Sequence, residues 1–228
     1  MATLTPIALL LMCSSATSAK ILQTDNADLD RDGTVEYISI TCNKITDGHP
    51  MGGEIIISHK VDGKLKAVWR QPRLNPWKLQ IGDVDGDGHK EIVVGVWKKS
   101  RYDPIMAKRA FVYSWNGVRL MPKWLGSRLS RRFTDFVLCP LDNDGKTELV
   151  ALEEAPRGAH YLTAYRWRAF GFEWIGRVGP IDGAVSLRPG RRNVVVLTKR
   201  GALASTLVNG KPILAGLREA KGETRIHM

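Results

Sequence analysis

The sequence predicts an all-β fold: a propeller-like array of about four four-stranded blades. Three observations carry that prediction. An aspartate-rich segment recurs along the chain, a β-branched run follows each copy, and no stretch holds a convincing 3.6-residue apolar period. The recurring segments are DLDRDGTVEYISI from Asp28, DVDGDGHKEIVVGV from Asp83 and PLDNDGKTELVAL from Pro140. Their glycines, Gly33, Gly88 and Gly145, stand 55 and 57 residues apart. Trp69 follows Gly33 by 36 residues, and Trp124 follows Gly88 by the same interval. The turn sequences VDGKL and WNGVRL, around Gly63 and Gly117, occupy matching places. A fourth unit is decayed: Pro189-Gly190-Arg191-Arg192-Asn193 replaces the acidic loop, VVVL follows, and Asn209-Gly210 supplies a later turn. Four units in about 200 residues is the period of propeller blades.

Ahead of the repeats, residues 1–19 read as a cleavable leader. An apolar run from Ile7 to Cys13 is followed by small residues up to Ala19, a pattern that suits export and is too short to span a bilayer. Cys13 leaves lipoprotein processing open, although Met12 is a poor residue before a lipidated cysteine. Residues 20–217 form the repeat domain and 218–228 a tail. Within the second unit, Lys78–Gly82, Glu91–Trp97, Ala110–Trp115 and Val118–Trp124 read as four strands, with Asn116-Gly117 as a tight hairpin turn. Cys42 and Cys139 lie in apolar strand-like runs and read as buried free thiols, with a disulfide as the alternative.

The first two loops follow D-x-D-x-D-G-x-x-E. Alternating aspartates let three carboxylates converge from one turn, and the glycine takes the backbone angle that folds the chain back. Calcium wants six to eight oxygens, and magnesium rarely uses an all-protein cage, so calcium is the expected ion. Asp28, Asp30, Asp32 and Glu36 form one ligand set, with the Thr34 carbonyl. Asp83, Asp85, Asp87 and Glu91 form a second, with the His89 carbonyl. In the third loop Pro140 replaces the first aspartate, leaving Asp142, Asp144 and Glu148; the fourth has no acid. Turn preference alone also favours Asp and Gly, but packed carboxylates repel unless something neutralises them. An EF-hand is excluded, because position twelve is Ser39, Val94 or Ala151 and the flanks are strand-like.

On these loops and their spacing the chain resembles the FG-GAP or VCBS-type repeat of integrin-like β-propellers, over roughly residues 20–217. The resemblance implies a structural calcium and a ligand-binding or adhesive role, usually without enzymatic activity.

A net charge of +11 and a pI near 9.8 favour an anionic partner, or else a merely solvated basic surface. In a propeller the second-to-third and inter-blade loops emerge opposite the acidic loops. There the sequence places Lys98, Lys99, Arg101, Lys108 and Arg109 in one long loop and Arg128, Arg131 and Arg132 in another, with His49 and Arg157 in equivalent loops. The eight Lys and Arg residues of the two long loops are the candidate ligand contacts. Trp69, Trp115, Trp124 and Trp167 recur at repeat positions and read as packing between blades; Trp77 and Trp97 also read as core. No catalytic motif is present: no G-x-S-x-G, no H-E-x-x-H and no phosphate-cradling loop. The expectation is a non-enzymatic, exported binding module for an anionic polymer or protein partner at the cell envelope. The alternative is a metal-dependent hydrolase or lyase on an acidic polymer. A structural envelope subunit is a third reading, and the leader disfavours nucleic acid.

Overall fold

The computed structural model describes residues 19–126, 128–208 and 211–215, with side chains to residue 202. All of the leader but its last residue, the Asn209-Gly210 turn and the tail lie outside the described residues. Nearly everything described is antiparallel β, in four four-stranded sheets arranged as a four-bladed β-propeller. Blade one comprises β1 (Lys20–Ala27), β2 (Glu36–Cys42), β5 (Ile55–Val61) and β6 (Lys64–Gln71). A small hairpin, β3 (Lys44–Thr46) with β4 (His49–Met51), interrupts it between β2 and β5. Blade two comprises β7 (Pro76–Gly82), β8 (Glu91–Ser100), β9 (Asp103–Trp115) and β10 (Leu120–Leu125). Blade three comprises β11 (Phe133–Cys139), β12 (Glu148–Glu154), β13 (His160–Arg168) and β14 (Gly171–Ile181). Blade four comprises β15 (Ala184–Pro189), β16 (Asn193–Thr198), β17 (Gly201–Val208) and β18 (Lys211–Ala215). No helix among the described residues is long and apolar enough to cross a membrane.

Alternation along the strands decides which face each blade buries. In blade one, Ile38, Ile40, Ile55 and Ile57 point to one side and are fully buried, each worth about 2 kcal/mol of transfer free energy. They join Leu79, Val94 and Tyr113 of blade two in one apolar cluster. Val93, Val112, Phe136, Leu149 and Trp167 unite blades two and three, while Val137, Leu152, Leu187 and Val196 unite three and four. The repeated tryptophans pack as expected: Trp115 and Trp167 are buried, and Trp69 and Trp124 lie against these clusters. Cys42 and Cys139 are free and buried.

Side chains of the first strands reach the next blade. Gln23 exchanges two hydrogen bonds with the Leu79 backbone, at 2.8 and 3.0 Å. Leu138 N–H donates to Gln80 (3.2 Å), and Leu187 N–H donates to Asp135 (2.7 Å), which Lys78 Nζ also meets at 2.6 Å. Among the described residues no hydrogen bond or apolar cluster joins the fourth blade to the first.

One expected loop is a strand pair. The segment from Lys98 to Arg109 continues the β8–β9 hairpin, with Trp97 opposite Lys108, and turns only at Arg101-Tyr102. Arg109 explains the difference. Its side chain is wholly buried; Nε donates to the Lys98 carbonyl (2.7 Å), Nη2 donates to Asp103 (2.9 Å) and Ile105 (2.8 Å), and the Asp103 carboxylate pairs with it at 3.2 Å. Nη1 is buried with no partner, so these acceptors on Nε and Nη2 carry the buried charge, and they tie the guanidinium to the hairpin.

Candidate metal loops and the opposite cleft

Each acidic loop follows the first strand of its blade, and its sixth-position glycine takes positive φ: 87° at Gly33, 88° at Gly88 and 83° at Gly145. In the first two loops the glycine amide donates to the first aspartate, Gly33 to Asp28 (3.1 Å) and Gly88 to Asp83 (2.8 Å). Proline at position 140 removes that bond from the third. Thr34, His89 and Lys146, at the seventh position, donate their amides to Asp32, Asp87 and Asp144. The loops also stitch blades together, since Lys90 N–H donates to the Leu29 carbonyl and Thr147 N–H to that of Asp83.

The ninth-position glutamates do more than the sequence indicated. Glu36, Glu91 and Glu148 are buried, and each accepts the amide of the residue seven before it: Leu29 (3.0 Å), Val84 (3.0 Å) and Leu141 (2.9 Å). One carboxylate oxygen thereby latches the loop shut, while the other meets a basic side chain: His59, Lys123 and Arg166 respectively.

Convergent oxygens within 4.8 Å of one another come from Asp28, Asp30 and Asp32 in the first loop, from Asp83, Asp85 and Glu91 in the second, and from Asp142, Asp144 and Glu148 in the third. These clusters are able to hold a metal ion. Glu36 and Asp87 fall outside the closest sets. The first loop fits a divalent ion: Asp28 Oδ1 and Asp30 Oδ1 are buried with no hydrogen-bond partner. Beside this loop, His59 Nε2 lies 3.2 Å from Glu36.

The other two clusters already contain a protein cation. Lys123 Nζ lies 2.5 Å from Asp85, 2.7 Å from Glu91 and 3.9 Å from Asp87. Arg166 contacts Asp142, with Glu148 at 2.9 Å and Asp144 at 3.6 Å. Burial pushes the Glu91 and Glu148 carboxyls up against the pull of these partners. Burial alone would lower Lys123, but its bonds to Asp85 and Glu91 prevail and raise it. Lys123 and Arg166 escaped notice because they sit 32 and 18 residues from the glutamates they meet.

The basic residues gather opposite the loops, as the connectivity required, but they divide in role. Arg109 serves the hairpin and reaches no surface. Lys98 Nζ donates to the Arg73 carbonyl (3.0 Å). Lys99 and Arg101 are exposed at the hairpin end, with Arg101 5.5 Å from the Tyr102 ring. Lys108 and Arg132 line a cleft of about 340 Å³ with His49, Trp97, Thr134 and Glu154. Arg128, Arg131 and Arg132 line a shallower, adjoining depression. Trp97 is thus a cleft wall, not core: the β3–β4 hairpin lays His49 flat on it, centroids 3.5 Å apart and planes within 4°. Lys108 Nζ donates to the Thr134 carbonyl (2.6 Å) and lies 4.3 Å above Trp77. Burial lowers the pKa of Lys108, and burial together with Lys108 lowers that of His49.

No family model matches the chain, and no curated protein matches it. Solved structures do. The Bacillus licheniformis rhamnogalacturonan lyase PL11 superposes with a TM-score of 0.52 at 18% identity, covering 81% of this chain and 40% of the lyase. The exotype rhamnogalacturonan lyase YesX superposes at 0.50 and 17% identity, covering 81% of this chain and 39% of the lyase. The chain therefore spans about two fifths of the length of the structures it matches.

This likeness establishes a shared fold. It also corrects the expectation of a non-enzymatic scaffold, because that expectation rested on the repeat scaffold and missing motifs, and these two matching structures are lyases. Short motifs report catalysis only where the catalytic groups lie close in sequence. Here the cleft is assembled from β4, β8, β9, the start of β11 with Arg132 before it, and the end of β12.

Beneath the cleft lies a buried group that the sequence reading missed. Glu153 is fully buried and accepts from Ser130 Oγ (3.0 Å), Arg131 N–H (3.0 Å), Thr163 Oγ1 (2.7 Å) and Tyr165 OH (2.5 Å). Arg177 approaches it at 3.6 Å and lies 4.8 Å from the Tyr161 ring, which Arg131 approaches at 5.4 Å. One carboxylate thus fixes the backbone of the segment that carries Arg131 and Arg132.

Proposed function

We propose that the chain cleaves an acidic, uronate-containing polysaccharide by β-elimination, in the cleft opposite the acidic loops. The single observation that carries this reading is the cleft itself, where a histidine of lowered pKa lies on an indole among Lys108, Arg132 and Glu154. The rhamnogalacturonan lyases that share the fold support the same substrate class.

In such a reaction a base takes the proton at C5 of the uronate, the C4–O bond breaks, a C4–C5 double bond forms, and the departing oxygen takes up a proton. A base is most effective when it is neutral at the working pH, which the lowered pKa of His49 provides. Arg132, beside Lys108, meets the uronate carboxylate and makes the C5 proton more acidic. The part of Trp97 left open by His49 gives a sugar ring apolar surface to lie against.

Calcium belongs to this reading as a structural ion of the first loop, held by Asp28, Asp30 and Asp32, in keeping with the FG-GAP or VCBS resemblance. An exported protein would meet such polymers at or beyond the envelope.

The test is incubation of the protein with rhamnogalacturonan and polygalacturonate, following ultraviolet absorbance of the unsaturated uronate. Activity lost in His49→Ala and reduced at least about tenfold in Arg132→Glu is expected. Polymer retained on the protein with no absorbance change would overturn the lyase reading and leave the cleft as a binding site.

A further inference from the structure

The acidic loops differ in what neutralises them, and the repeat makes the difference legible. Aligned on the blade registers, His59, Ser114 and Arg166 occupy one equivalent position on the third strands. Val68, Lys123 and Ile175 occupy another, the bulged residue of the fourth strands. Each acid-bearing unit places one basic side chain at one of these positions, never at both: His59 in the first, Lys123 in the second and Arg166 in the third. The fourth unit has no acid in its loop, and Thr206 stands at the first of these positions.

We infer that Lys123 and Arg166 are tethered counter-cations that take the place of a metal ion in the second and third loops, so that these loops close without calcium. The chemistry of the donor set argues for this. A calcium cage wants six to eight oxygens, but Lys123 already holds one oxygen each of Asp85 and Glu91 at hydrogen-bond distance. The other Glu91 oxygen accepts Val84 N–H, and one Asp83 oxygen accepts Gly88 N–H. Few lone pairs remain, and a divalent ion at that point would stand beside an ammonium. Lys123 and Arg166 each have a side chain only 20% exposed, so moving either into water would give up packing as well as charge pairing. The first loop is the contrasting case, with an imidazole in place of a permanent cation and two orphaned aspartate oxygens. Pro140, which reads as damage to a metal site, fits this account: a monovalent guanidinium needs fewer carboxylates than a divalent ion.

This inference rests on the same loop chemistry as the calcium reading but is separable from it. The experiment is calorimetric titration of the metal-stripped protein with calcium chloride, beside Lys123→Gln, Lys123→Arg and Asp85→Asn, with thermal melts of each in chelator and in calcium. The parent is expected to take up one equivalent, unchanged in Asp85→Asn and Lys123→Arg. Lys123→Gln should melt lower in chelator, recover in calcium and take up one equivalent more than the parent. No uptake by the parent would remove calcium from the first loop, yet a gain in Lys123→Gln would still uphold the tethered cation. A parent that binds two or three equivalents, one lost in Asp85→Asn, overturns the proposal. So does a Lys123→Gln protein that folds, gains no site and is not rescued by calcium.

Discussion

Changing Glu153 to glutamine replaces one carboxylate oxygen by an amide nitrogen in a site with no access to water. Four donors converge there: Ser130 Oγ, Arg131 N–H, Thr163 Oγ1 and Tyr165 OH. The amide is best tolerated on the Thr163 side, where a hydroxyl can rotate to accept; the opposite side must keep the Arg131 amide and Tyr165. One charge-assisted bond is then lost and the remaining ones become neutral. At the lower end, about 1.5 kcal/mol for a bond to a charged group against about 1 for a neutral one, one bond lost and three weakened sum to about 3 kcal/mol. Release from the cost of burying the charge offsets part of it. Urea denaturation should therefore show about 2–3 kcal/mol of destabilisation with an unchanged m-value, and Thr163→Val about 1 kcal/mol. Because Glu153 holds the Arg131 backbone, the variant should also elute from an acidic polysaccharide column at lower salt. A loss below about 0.5 kcal/mol with unchanged elution would refute the idea that this carboxylate positions the arginine segment.

Arg109→Met should cost about 2–4 kcal/mol, because three carbonyls lose their donor inside the hairpin; hydrogen exchange should quicken over residues 98–109 before the rest of blade two. His49 and His160 both have lowered pKa values, through burial first. The unfolded chain then takes up protons at the ordinary histidine value of 6.5 while the fold resists them. Stability should be fully present above that value and decline as pH falls through it toward the folded values. Urea midpoints across this range, flattened in His49→Gln and His160→Gln, check the sign. The proposed lyase turnover should rise with pH toward the lower end of that window, as His49 loses its proton.

Much of the fold was legible because a repeat states its own register. Aspartates at strict alternation, glycine at the sixth position and Trp69 and Trp124 at equal intervals fixed four units, their turns and the face on which each loop emerges. Those signals depend on local backbone preference and period, which a chain carries whatever it packs against. Three things needed the tertiary structure. Arg109 reads as one more surface cation, yet burial among carbonyls of its own hairpin makes it part of the frame. Trp97 reads as core, yet the β3–β4 hairpin turns its face into a cleft wall beneath His49. The second loop reads as the most complete calcium site, yet a lysine 32 residues beyond its glutamate folds back among the carboxylates. That these loops gather negative charge follows from local sequence, because the acids lie within one turn. Which positive charge meets them follows from packing, since it depends on how a distant strand, bulged at Lys123, aims one side chain.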